Sequence, residues 1–126
     1  MKNESMPLAA KPERSFRFLV VDDSEFARQN MEKMLVAIGG QAAGFAANGR
    51  EAIDQYLRLR PDLVMMDITM PEMEGIEAVE SILAEDRSAR IVMVSSIGYQ
   101  DLIKRALALG AKHFLTKPVQ IGRAHV

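Results

Sequence analysis

The sequence predicts an α/β domain in which five short strands lie parallel in one sheet with helices on both faces, a doubly wound arrangement with its last helix missing. Three observations predict it. Short apolar runs recur along the 126 residues. Segments of helical period separate them, and strand alternating with helix leads to a parallel sheet with right-handed crossovers. Finally, Asp22-Asp23, Asp67 and Lys117-Pro118 each follow an apolar run, so parallel strands bring carboxylates and an ammonium together at the carboxyl edge of the sheet.

Residues 1–15 carry Met, Pro, Lys and Glu without periodicity and read as a flexible leader. The domain proper is expected over 16–120. Phe16 to Val21 (FRFLVV) is an apolar run suited to a strand buried on both faces, and Leu63 to Met66 and Arg90 to Val94 repeat it. Gln41 to Ala47 is a weaker strand and His113 to Thr116 a short fifth one. Four apolar stripes at helical spacing lie between them: Ala27, Met31, Met34, Leu35 and Ile38; Ile53, Tyr56 and Leu57; Ile76, Val79, Ile82 and Leu83; Leu102, Ile103, Ala106 and Leu107. Asn48 with Glu51 predicts an N-cap and its capping-box partner. Gly39 and Gly110 stand where a helix end needs positive φ, and Pro61 stops the second helix.

Only Val119 to Val126 follow Lys117-Pro118, and they hold neither an apolar stripe nor a cap. The DNA string ATC GGA AGA GCA CAC GTC, common in sequencing adapters, translates to Ile121-Gly122-Arg123-Ala124-His125-Val126. Residues 121–126 are therefore expected to be a non-native, adapter-derived tail. A docked terminal helix contributes about 6–15 kcal/mol of gross burial, comparable with a net domain stability of about 5–15 kcal/mol. The chain as written is accordingly expected to be unstable, and whether it folds without that helix is a question for a thermal melt.

Hydrophobic content of 48% suffices for one ordinary core. The formal net charge is −1, and Lys and Arg are spread along the helical segments, which argues against nucleic-acid binding and against a polybasic membrane anchor. No apolar run has the length of a bilayer span, and no signal peptide is evident, so a cytoplasmic protein without membrane partners is expected. With no cysteine in the chain, disulfide scaffolds and thiolate metal sites are excluded.

Oxygen-only ligands select a hard cation, and Mg²⁺ takes one or two carboxylates with waters and substrate oxygens completing its shell. Asp22, Asp23 and Asp67 meet that requirement. Crowded carboxylates raise one another's proton affinity, so Mg²⁺ and the Lys117 ammonium are what keep Asp67 ionised and nucleophilic. Read singly, each motif has a plainer explanation. Adjacent aspartates can cap a helix, a lysine before a proline can be solvated, Ser95 can cap with Ser96 as its equal, and Met70 and Met73 can simply pack. His113 and His125 show no metal-ligand spacing.

Together the motifs say more. Val20-Val21-Asp22-Asp23-Ser24, Asp67 with Met70-Pro71 and Gly75, Val94-Ser95-Ser96, Gly110-Ala111 and Lys117-Pro118 occur in order. Over about residues 16 to 120 the sequence resembles the receiver domain of two-component response regulators, the CheY-like family. The resemblance implies the flavodoxin-like strand order 2-1-3-4-5. It implies that Asp67 is the phosphoacceptor, attacking a phosphoryl group carried by a histidine of a sensor kinase. It assigns Asp23 to direct Mg²⁺ ligation, Asp22 to ligation mainly through water, and the Thr69 backbone carbonyl to the metal. Lys117 and Ser95 would attend the phosphoryl oxygens, and Pro118 matches the family's cis-proline. Ser95 and Phe114 match the pair that couples phosphorylation to an output surface, which an unidentified output protein would read. Phe114 lacks the phenolic hydroxyl of the chemotaxis members.

The stretch Val94 to Asp101 resembles the loop of single-domain, chemotaxis-type receivers. The alternative within the family is the N-terminal receiver of a truncated multi-domain transcriptional regulator, with a helix-turn-helix domain downstream. A different class, the haloacid-dehalogenase-like phosphatases, wants a second aspartate two positions after its nucleophile, where Asp22 is followed by Ser24. Nucleotide binding on a Rossmann-like sheet lacks a glycine-rich loop after the first strand.

Overall fold

The computed structural model describes residues 15–68, 70 and 75–117. Within them the chain runs β1 (Phe16–Val21), α1 (Glu25–Ala37), β2 (Gly40–Ala46), α2 (Gly49–Leu59), β3 (Leu63–Asp67), α3 (Gly75–Glu85), β4 (Ile91–Ser95), α4 (Gln100–Leu109) and β5 (His113–Thr116). Neighbouring strands are parallel and the sheet order is β2-β1-β3-β4-β5. This is the order the resemblance implied. Residues 1–14 and 118–126, which include most of the expected leader, Pro118 and the expected tail, lie outside the described residues.

Successive strand side chains point to opposite faces, so an apolar run can supply two cores at once. Leu19, Val21, Val64, Met66, Ile91 and Met93 pack with residues of α2, α3 and α4. Phe18, Val20, Met65 and Val94 pack on the other face with Met31 and Leu35 of α1. This two-sided burial is why β1, β3 and β4 read as continuous apolar runs rather than as alternation. β2 is an edge of the sheet, and its sequence GQAAGFA has little β propensity of its own. Pairing with β1 holds it, with a register shift that sets Phe18 opposite Ala42 and Leu19 opposite Gly44.

Helix ends follow local chemistry with some differences from expectation. Asn48 accepts from the Glu51 amide at 2.9 Å, while the Glu51 carboxylate accepts from Ala47, one residue before the cap, at 2.8 Å. Gly39 and Gly110 have φ of 103° and 129°, as predicted. α2 stops before Pro61, but through Arg60 at φ 47°, a left-handed residue other than glycine. The Arg17 guanidinium of β1 caps that end by donating to the Leu59 and Arg60 carbonyls at 3.1 and 3.3 Å. Two stripes are narrower than their spacing suggested: Ile38 is the C-cap of α1 and 54% exposed, and Leu107 is 37% exposed.

No helix among the described residues is long and apolar enough to cross a membrane.

Candidate functional site

Three backbone ladders deliver the polar residues to one edge. Beyond β1, the Asp22 amide still donates to the Ala46 carbonyl of β2 at 3.0 Å. Asp67 is the last residue of β3, opposite Val94 in the register, and Ile68 donates to the Val94 carbonyl at 3.0 Å. Lys117 extends the β4–β5 ladder by donating its amide to the Ser95 carbonyl at 2.8 Å. Side chains separated by dozens of residues thereby share one sheet edge.

The start of α3 lies close against the end of β3. Gly75 opens α3 and donates to the Ile68 carbonyl at 3.0 Å. A Cβ at Gly75 would collide with the Asp67 carbonyl oxygen and lie 3.1 Å from the Ile68 Cα. Only a residue without a side chain brings α3 this close to Asp67. Met70 is buried, in keeping with a packing role; Thr69, Pro71 and Met73 lie outside the described residues.

Asp22 and Asp67 are buried and Asp23 is exposed. One carboxylate oxygen from each lies within 4.8 Å of the others. The Lys117 Nζ lies 3.1 Å from Asp22 Oδ2 and 3.4 Å from Asp67 Oδ1. Asp22 Oδ1 accepts from the Ser24 amide at 2.9 Å. Ser24, and neither aspartate, is the N-cap of α1, its hydroxyl accepting from the Ala27 amide at 3.1 Å. The aspartates are left to face the cluster.

Burial, and then the Asp22 charge, push the Asp67 carboxyl from 3.8 up to about 6, against the pull of Lys117. Burial acts to lower the Lys117 pKa, but the hydrogen bond and charge of Asp22 and the charge of Asp67 hold it above its ordinary value. The site thus carries more negative charge than one ammonium balances. An all-oxygen donor set with surplus anionic charge fits a hard divalent cation such as Mg²⁺.

Ser95 and Ser96, equal candidates in the sequence, separate. Ser95 is buried with its hydroxyl donating to the Ser96 carbonyl at 2.7 Å, whereas Ser96 is exposed. Phe114 on β5 is 37% exposed and meets the neighbouring His113 ring edge-on, with centroids 6.0 Å apart. Sequence reasoning missed Arg28, whose guanidinium donates to the Asp22 carbonyl at 2.7 Å. Its one signal was its place one turn past the Ser24 cap.

The model of the response regulator receiver domain family matches residues 18–125. Chemotaxis protein CheY of Thermotoga maritima is 45% identical to this chain, the match covering 85% of the chain and 89% of that protein. Chemotaxis protein CheY of Treponema pallidum is 42% identical over 93% of this chain and 83% of its own length. Among solved structures, the CheX-CheY-BeF3-Mg+2 complex from Borrelia burgdorferi is similar with a TM-score of 0.80 and 37% identity, covering 83% of this chain and 80% of that one. The chain belongs to the response regulator receiver domain family.

Proposed function

We propose that this protein is the phosphoacceptor of a two-component phosphorelay, of the single-domain, chemotaxis-like type, taking a phosphoryl group from a sensor histidine kinase onto Asp67. The observation that carries the reading is the buried Asp67 carboxylate, with the Lys117 ammonium 3.4 Å from Oδ1 and the Asp22 and Asp23 oxygens beside it. CheY relatives covering most of the chain support the chemotaxis assignment.

Catalysis here is positioning and charge neutralisation. When bound, Mg²⁺ offsets the charge of the carboxylates and of the incoming phosphoryl oxygens. The residues that would hold it are Asp23, as a direct ligand, Asp22, mainly through water, and Asp67, together with the backbone carbonyl of Thr69, which lies outside the described residues. Asp67 attacks phosphorus as the phosphorus–nitrogen bond to the donor histidine breaks; the imidazole leaves with the electron pair and takes up a proton. Lys117 moves from the Asp22–Asp67 bridge onto the phosphoryl oxygens. The Ser95 hydroxyl exchanges the Ser96 carbonyl for a phosphoryl oxygen, and Phe114 turns into the space vacated. An output protein then reads the altered surface of α4 and β5. The Mg+2 and CheX in the Borrelia complex support a cation and a protein partner of this kind.

Incubation with a small phosphodonor and Mg²⁺ is expected to add the mass of one phosphoryl group to the wild type. Neither Asp67→Ala nor wild type in chelator should gain it. Labelling of Asp67→Ala would overturn the reading. Phe114→Ala should leave that labelling intact and weaken binding of the phosphorylated protein to its output partner; equal loss of both would assign Phe114 to packing alone.

A further inference from the structure

The turn that carries both aspartates is restrained from a direction that the reaction itself does not require. Every polar atom of Asp22 is engaged. Its amide donates to Ala46, Oδ1 accepts from Ser24, Oδ2 meets Lys117, and its carbonyl accepts from Arg28 Nη1 at 2.7 Å. Asp23 is exposed, and its side chain has no hydrogen-bond or ion-pair partner among the described residues. The Asp22 carbonyl belongs to the planar peptide that leads into Asp23. A donor fixed on that oxygen therefore holds the peptide plane from which, with the φ of Asp23, the direction of the Asp23 side chain follows.

Arg28 is half-buried on α1, one turn beyond the Ser24 cap. Glu25 and Glu32 stand three residues before it and four after, the spacing at which helical ion pairs form. Yet the guanidinium makes no ion pair among the described residues. Its hydrogen bond there goes to the Asp22 carbonyl. A cation that bypasses two carboxylates for one backbone oxygen is placed by the turn. Its charge works against a divalent ion at the cluster, whereas its hydrogen bond works for one, so the two effects predict opposite signs when it is removed.

We infer that Arg28 is a positioning residue for the divalent-cation site, holding the Asp22–Asp23 peptide so that the Asp23 carboxylate faces Asp22 and Asp67. The inference rests on the reading of these aspartates as a Mg²⁺ site.

The test is calorimetric titration of Mg²⁺ into the full chain, for wild type, Arg28→Met, Arg28→Gln and Arg28→Lys, with urea unfolding of each in chelator. Residues that orient metal ligands typically tune affinity by about 10–100-fold. Arg28→Met and Arg28→Gln are expected to weaken Mg²⁺ binding about tenfold. Lysine, which can donate to the same carbonyl, should recover most of the loss. Arg28→Gln keeps a polar side chain and carries the comparison if Arg28→Met does not fold. Tighter binding in the uncharged variants would show charge repulsion alone and overturn the inference. Unchanged affinity with a lower unfolding midpoint would overturn it in favour of a purely structural role. A wild type that unfolds cooperatively in urea yet binds no Mg²⁺ would instead refute the underlying metal site, and the positioning role with it.

Discussion

Asp67 is held where burial and neighbouring charge disfavour the ionised form that the proposed chemistry needs. Its carboxyl, raised to about 6, binds a proton more tightly folded than unfolded. The sign follows: the contribution to stability is fully present below about pH 4, the unfolded value, and is lost as pH rises through about 6. Replacing the carboxylate by an amide removes that cost while Lys117 keeps Asp22 as its partner. In chelator at pH 8, Asp67→Asn should therefore unfold at higher urea than wild type, by about 1–2 kcal/mol, with the gain vanishing near pH 4. Mg²⁺ should shrink the difference by stabilising wild type, with all three carboxylates, more than the variant. A variant less stable than wild type at pH 8 would mean that Lys117 outweighs burial. Residue identity at the edge was readable from the aspartate pair, Asp67 and Lys117, because each ends an apolar run. Arg28 was not, because its partner is a backbone oxygen and no side-chain pattern marks it.

The elements place these groups, and the junctions between them matter more than their lengths. α3 begins against the end of β3, so that Gly75 has no room for a side chain beside the Asp67 carbonyl. Gly75→Ala must push α3 away or twist the Asp67–Ile68 peptide, and overpacking of this kind costs about 1–3 kcal/mol. The expected result is a lower urea midpoint together with weaker Mg²⁺ binding; a midpoint equal to wild type would show that the loop yields freely. Sequence patterns located β1, β3 and β4 well because both faces are buried, and located β5 as a short strand. β2 was faint because alanine and glycine carry no β signal, and neighbouring β1 supplies its order. The α1 and α4 stripes were read too wide at Ile38 and Leu107. Periodicity counts apolar residues without knowing where the opposing sheet stops. Arg60 in the left-handed region had no signal beyond Pro61, since the Arg17 guanidinium that caps the α2 terminus comes from a strand 42 residues away.

At the scale of the molecule, the site exists only because five parallel strands end at one edge. Asp22, Asp67 and Lys117 are separated by 45 and 50 residues in the chain, and β1, β3, β4 and β5 bring them within a few ångströms. The order β2-β1-β3-β4-β5 could not be derived from the pattern of strands and helices, which fits several parallel sheets; the family resemblance supplied it. In a shared site, one divalent ion touches segments that are distant in sequence. Manganese is a paramagnetic stand-in for Mg²⁺ and broadens the amide signals nearest to it. Titrated below stoichiometry into the ¹⁵N-labelled chain, Mn²⁺ is expected to broaden Asp22 to Ser24, Asp67, Ile68 and Lys117 together, and excess Mg²⁺ should restore them. Broadening confined to one of these segments, or scattered over the exposed carboxylates of the helices, would contradict a shared cation site.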